Sequence, residues 1–218
     1  MFWKKQRYQF QFDDDIPLLT PVEHLSFIVF DMETTGFDVA GADRLLEIGA
    51  VYVDKLEVTD ETFQTYVNPE RNIPDVITEL TGIDEQKVKA APDAKAAIDE
   101  LFTFIANFRC NFLVGHFMNF DLSVIEHELK RANCSCSKPK GVDTLELLQL
   151  LNVCIHGKDL KDFANEFGVT PVGRHTASGD ATTTAHLACQ LLTRLKRRYR
   201  TWGELLIALE RQKRVIGI

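Results

Sequence analysis

No run of residues in this chain approaches the roughly 18 consecutive apolar positions that a membrane-spanning helix needs, so no membrane partner is expected. The N-terminus, Met1-Phe2-Trp3-Lys4-Lys5-Gln6-Arg7, is basic but leads into Gln and Asp. It lacks the apolar core of a secretory leader, and the expected location is cytoplasmic. Cysteine is sparse: five thiols, an odd number without framework spacing, suit a reducing compartment better than a disulfide scaffold. Cys134-Ser135-Cys136, with His127 upstream and Cys154 and His156 downstream, matches no usual zinc spacing, so free thiols are expected. Internal repeats and low-complexity tracts are also missing. So is a net positive charge: at −7 the chain is not built to hold phosphates by Coulomb attraction alone.

What is present suits one soluble globular domain with a sizeable core: 218 residues, 45% hydrophobic and 26% charged. The charge is uneven. Eight basic and two acidic residues fall between Arg194 and Arg214, which leaves −13 on the rest of the chain. Such a body can still meet a polyanion if carboxylate-bound cations reverse the local field.

Along the chain, residues 1–23 read as an extension carrying Asp13-Asp14-Asp15, Pro17 and Pro21, residues 24–200 as the main domain and 201–218 as a helical tail. Phe27-Ile28-Val29-Phe30 is a short apolar run ending at Asp31, the pattern of a buried strand. Leu45 to Val53 and Thr62 to Val67 read as two more strands, paired antiparallel across the polar stretch Asp54 to Asp60. Helices are expected from Pro74 to Leu80 and from Pro92 to Phe108, each opened by proline. Phe112 to Gly115 is a fourth strand, before a helix from Phe120 to Ala132, and Val142 to Thr144 a fifth. Helices follow at Leu145 to Leu151, Lys158 to Phe167, Ser178 to Arg198 and Trp202 to Gln212. Strands first and helices interleaved later predict an α/β layer on a mixed sheet.

Three junctions carry the chemistry. Asp31-Met32-Glu33-Thr34-Thr35-Gly36 closes the first strand. Side chains i and i+2 share a strand face, so Asp31 and Glu33 point together. Two facing carboxylates repel unless protonated or bridged by a cation, and hard oxygen donors suit Mg²⁺ or Mn²⁺. Asp121 follows His116, Asn119 and Phe120 where a strand passes into a helix, the sheet edge at which α/β proteins place ligands. Alone it would equally serve as a helix cap. Arg174-His175-Thr176-Ala177-Ser178-Gly179-Asp180-Ala181 leads into a helix with Ser178 as expected N-cap and Asp180 in the first turn, where the dipole favours an ionised carboxylate. His175 sits just before that helix, and an imidazole with an ordinary pKa of about 6.5 can take a proton from water at neutral pH.

As a set, in the order Asp-x-Glu, Asp, His-x4-Asp, these five residues resemble the DEDDh family of 3′–5′ exonucleases, over about Ser26 to Leu195. Arg44-Leu45-Leu46-Glu47-Ile48-Gly49 and Leu80-Thr81-Gly82-Ile83 add to the likeness, which is greatest to stand-alone, epsilon-like domains. The resemblance implies a ribonuclease H-like α/β fold, a mixed five-stranded sheet with helices on both faces. It also implies two Mg²⁺ or Mn²⁺ ions held by Asp31, Glu33, Asp121 and Asp180, with His175 as general base. Backbone around Met32, Thr34 and Thr35 would lie against the terminal nucleotide, and Phe120 could stack on a base or simply fill the core. The substrate would be the 3′ end of single-stranded nucleic acid, DNA foremost, releasing nucleoside 5′-monophosphates. Phe117 departs from the family pattern, which commonly has Asn there.

Two rivals remain open. An RNA-directed exonuclease would use the same five residues, since nothing in the sequence reads a 2′-OH. A binding subunit would dock through Leu205, Leu206, Ile207 and Leu209, set between basic clusters, on a polymerase or a nucleic-acid backbone. Packing of that helix on its own domain is the preferred reading. All five expected catalytic positions are filled, which argues for an enzyme.

Overall fold

The computed structural model describes residues 6–8, 16–108, 110, 112–137 and 139–216. The acidic run at 13–15 lies outside them. The centre of the fold is β2 (Phe27–Thr34), joined antiparallel to β3 (Leu45–Asp54) and parallel to β5 (Leu113–Gly115). β4 (Glu57–Tyr66) pairs antiparallel with β3, and β7 (Gly141–Asp143) pairs parallel with β5. The five strands lie in the order β4-β3-β2-β5-β7, the mixed sheet expected. A further pairing was not foreseen: β1 (Gln6–Tyr8) runs parallel to β6 (Cys134–Cys136) in a separate two-stranded ribbon.

The hairpin between β3 and β4 is tighter than its sequence suggests. Only Lys55 and Leu56 form the turn, with φ of 50° and 63°, and the polar residues from Glu57 onward are already strand. β4 is an edge strand with no buried residue and half of its side chains exposed, so its polarity disguised it.

Alternation along β2 divides the core. Phe27 and Val29 face one apolar cluster, built with α5 (Thr144–Leu150), α6 (Leu160–Glu166), α7 (Ala177–Leu195) and α8 (Trp202–Ile216). Ile28, Phe30 and Met32 face the other, with α3 (Ala94–Ala106) and α4 (Met118–Arg131). Two short helices, α1 (Asp75–Thr81) and α2 (Glu85–Val88), complete the elements, α2 being one that the sequence reading passed over. Each fully buried Phe or Leu contributes roughly 1.5–3 kcal/mol, so both faces are strongly held.

α8 runs past its expected end to Ile216 and lies on its own domain. Leu205 and Leu209 are buried in the α7-side cluster, and the Trp202 ring stacks on Phe112 at 5.0 Å. Lys213 pairs with Glu146 of α5 at 3.3 Å. Among the described residues no helix is long and apolar enough to cross a membrane.

Candidate active site

β2 does not stop at Asp31 but runs through Thr34, so Asp31 and Glu33 are strand residues on the face that α7 covers. Register places Asp31 opposite Gly49 and Glu33 opposite Glu47 of β3. Gly49 is required there: a Cβ would stand 2.3 Å from the backbone of Ala177 and Ser178, so only glycine lets the start of α7 sit against the sheet. α7 then delivers Asp180, the fourth residue of its first turn, to the two strand carboxylates. Carboxylate oxygens of Asp31, Glu33 and Asp180 all lie within 4.8 Å of one another.

The cap of α7 corrects the expectation. Thr176, one turn before Asp180, is the N-cap: its hydroxyl accepts from the Gly179 amide at 3.1 Å, and Ser178 is already inside the helix. Ser and Thr both serve as N-caps, and the sequence offered both. Glu47, wholly buried, adds a second hold by accepting from the Ala177 amide at 3.0 Å and from Gln64 Nε2 at 2.6 Å.

Asp121 arrives from the opposite face. It is the fourth residue of α4, which begins at Met118, two residues earlier than expected, and it is buried. The amides of Asp121 and Met32 favour its ionised form, and its charge bears on Asp31, which sets it beside β2. The N-cap of α4 is Phe117, with φ 60° and ψ 36° and no capping side chain. Asp143, half-buried at the end of β7, takes that role, accepting from Met118 N at 2.9 Å and Phe117 N at 3.3 Å. The same carboxylate caps α5 through Leu145 N at 2.9 Å.

Crowding shows in the acidities. Burial, then the charges of Asp121, Glu33 and Asp180, push Asp31 well above the usual carboxylate range, against the opposing pull of Arg174. Burial and the neighbouring Asp180 and Glu47 raise Glu33 to about 7. Asp121 is raised by burial and by Asp143, despite its two amide hydrogen bonds. A cluster that resists its own ionisation is a site for cations. Arg174 supplies one positive charge, its guanidinium 2.6 Å from Asp180. Its sequence position gave no sign of this role, nor did those of Glu47 and Asp143.

His175 sits at φ 62° on the loop before α7, its amide donating to Asp180 at 3.2 Å. His116 is held neutral, its pKa lowered to about 4 by burial and by Arg174, with Nδ1 2.7 Å from Thr144 Oγ1. Met32 is buried in the α4-side core, so only its backbone faces the site. Thr34 and Thr35 shape the adjoining loop: their hydroxyls donate to Gly36 O at 2.7 Å and Asp43 Oδ1 at 2.9 Å. Phe120 packs partly against the core and partly against Phe37, which is 89% exposed, with ring centroids 5.8 Å apart. An apolar groove of about 1060 Å³ opens beside the start of α4, where Phe117 to Phe120 line it together with β7, α5 and α8. Asp31, Glu33 and Asp180 are not among its walls, so it is not where the carboxylates act. Cys134 and Cys136 are free thiols, and among the described residues the one group of acidic, Cys or His side chains close enough to share an ion is Asp31, Glu33 and Asp180.

Comparison with known proteins gives a consistent result. Residues 28–188 match the Exonuclease family. The DNA polymerase III PolC-type protein of Caldanaerobacter subterraneus is 36% identical over 84% of this chain, which spans only 13% of that protein's length. The DNA polymerase III subunit epsilon of Aquifex aeolicus is 32% identical over 80% of this chain and 84% of its own. Among solved structures, the nuclease domain of 3′hExo, a DEDDh family member bound to rAMP, shares the fold with a TM-score of 0.68 at 16% identity, over 78% of this chain and 93% of that one. Escherichia coli Exonuclease I with a dT13 oligonucleotide does so at 0.63 and 19%, over 80% and 42%.

Proposed function

We propose that this chain, which belongs to the Exonuclease family, is a 3′–5′ exonuclease of the DEDDh type that shortens single-stranded nucleic acid, DNA foremost, from the 3′ end and releases nucleoside 5′-monophosphates. The observation that carries this reading is the convergence of Asp31, Glu33 and Asp180 within 4.8 Å, with the charge of Asp121 bearing on Asp31. The donor set is all carboxylate oxygen, and burial with mutual repulsion holds protons on Asp31 and Glu33, which fits Mg²⁺ or Mn²⁺ as the charge that displaces them. Asp31, Glu33 and Asp180 would hold one ion, and Asp31 with Asp121 a second. Bound there, the ions supply Lewis-acid activation of the attacking water and charge stabilisation for the departing 3′ oxygen.

The chain's own residues do the rest. His175 accepts the water's proton on its imidazole. The backbone of Met32 to Thr35 forms the seat of the terminal nucleotide, because its hydroxyls are already engaged in the loop. Phe37 and Phe120 offer aromatic faces to the bases, a contact that tolerates any sequence. A replicative polymerase is the partner this reading favours, since relatives at 36% and 32% identity are DNA polymerase III proteins.

The test is a time course on 5′-labelled single-stranded DNA and RNA oligomers with Mg²⁺ or Mn²⁺, an EDTA control and Asp180→Ala in parallel. A ladder shortening from the 3′ end, absent with EDTA and with the variant, is expected, with DNA shortened faster. No shortening of either strand would sink the proposal, and faster RNA shortening would make the RNA-directed enzyme the better reading.

A further inference from the structure

We infer that Asp143 is a positioning residue for the nuclease site: from the end of β7 it fixes the first turn of α4 and thereby the place of Asp121. This rests on the reading of Asp121 as a metal ligand given above. A helix start leaves four amides without intrahelical acceptors, and the N-cap side chain ordinarily satisfies one of them. In α7 Thr176 does so. In α4 the N-cap is Phe117, whose side chain has no acceptor. Asp143 reaches across from the neighbouring strand instead, with one oxygen on the Met118 amide and the other shared by the amides of Phe117 and Leu145. Asp121 lies one turn beyond those amides, so a loosened α4 start moves its carboxylate directly.

The strand geometry is arranged for the same contact. Gly115, at the end of β5, would place a Cβ 2.9 Å from that of Met118, so the glycine allows α4 to begin hard against the sheet. β7 pairs with β5 at Gly115↔Asp143, which puts the carboxylate beside the helix start by register alone. Asp143 therefore belongs to the sheet's rigid frame and holds a helix that cannot cap itself.

The measurement is Mn²⁺ binding by electron paramagnetic resonance on substrate-free protein, together with the Mn²⁺ concentration giving half-maximal oligonucleotide cleavage. Asp143→Ala is expected to raise both by about 10-fold or more, the usual consequence of removing a group that orients a metal ligand. KM for the oligomer at saturating Mn²⁺ should change by less than about 3-fold, because substrate binding elsewhere is intact. Adding Phe117→Asn to Asp143→Ala gives α4 a cap of its own and should recover most of the lost affinity, which a merely structural lesion elsewhere would not. Glu146→Ala, which removes the capping-box acceptor of α5 and the ion pair to Lys213 but leaves the Asp143 carboxylate on the Met118 and Phe117 amides, should leave the Mn²⁺ dependence at its original value. If Asp143→Ala does not fold, Asp143→Ser carries the test with one acceptor oxygen in place of two. A folded Asp143 variant with unchanged Mn²⁺ affinity would overturn the inference. Asp121→Ala run beside it separates the two claims: if that variant too keeps full activity and Mn²⁺ binding, the site reading itself has failed.

Discussion

α4 and α7 each present a carboxylate from the fourth residue of the helix, yet the two are anchored in opposite ways. α7 carries its own cap in Thr176 and settles into a notch made by Gly49, with Glu47 taking one more amide. α4 begins at a left-handed phenylalanine and depends on Asp143 from another strand. What the chemistry requires is only where the carboxylate arrives. One helix meets that requirement through its local sequence and the other through a tertiary contact, so damage of equal size should travel differently through the two.

The largest effect concerns the carboxylates themselves. Asp121→Ala and Asp180→Ala should each lower kcat by at least about 10³-fold, on the order of 4 kcal/mol of lost transition-state stabilisation. Neither should lower the stability of metal-free protein much. Asp121 is already held above its ordinary pKa by burial and by Asp143, so removing it relieves the fold. Paired kinetic and thermal-denaturation measurements check this. A variant that loses stability in step with activity would mean that its helix start is held by the carboxylate, and the comparison would dissolve.

The same contrast explains how far the site was legible. Asp31 and Glu33 could be paired from sequence because strand periodicity alone puts them on one face. Asp180 and His175 followed from a helix start with local punctuation, although the choice between Thr176 and Ser178 turned on geometry that the sequence does not hold. Asp121 was placed only with the family resemblance, since its neighbours gave no reason to prefer ligand over cap. Glu47, Asp143 and Arg174 received no role at all. Each acts through a contact at long range or across a turn: 130 residues from Glu47 to Ala177, 25 from Asp143 to Met118, six from Arg174 to Asp180. The five-stranded sheet was legible from its apolar runs. β4 was half hidden because an exposed edge strand need not be apolar, and the β1–β6 ribbon because neither Gln6–Tyr8 nor Cys134–Cys136 carries an apolar run.

Glu33, on the strand between the two helices, makes the comparison sensitive to pH. Its folded pKa of about 7 lies above its ordinary 4.5, so between those values the folded protein holds a proton that the unfolded chain has lost. Stability from this group is therefore full below about pH 4.5 and falls as pH rises through 7, by up to about 3 kcal/mol. Divalent ions compete with that proton, so half-saturating Mg²⁺ should fall as pH rises from 6 to 8. Glu33→Gln should flatten the stability profile of metal-free protein over this range, measured by denaturation in EDTA. A profile unchanged in the variant would assign the slope to Asp31 and Asp121, the pair through which β2 meets α4.

The smallest effect is the sharpest test of how α4 starts. Phe117 holds a left-handed backbone that costs an ordinary L-residue roughly 1–2 kcal/mol and that Asn tolerates far better. It is 57% exposed, so truncating the ring forfeits little burial. Phe117→Asn relieves the backbone and adds a capping oxygen, and should stabilise the protein by about 1 kcal/mol, a rise of roughly 2–4 °C in Tm for a chain of this size. Thr176→Ala should do the reverse at α7 by a similar amount. Turnover of Phe117→Asn should stay within about twofold, because Asp143 still grips Met118 and Asp121 does not move. The two substitutions together then place α4 and α7 on one scale: a gain at one start and an equal loss at the other means that the helices differ only in who supplies the cap. No gain at Phe117 would mean that the ring's edge contact with His116, 5.1 Å between centroids, offsets the backbone strain, and that a helix start already secured from β7 gains nothing from a second cap.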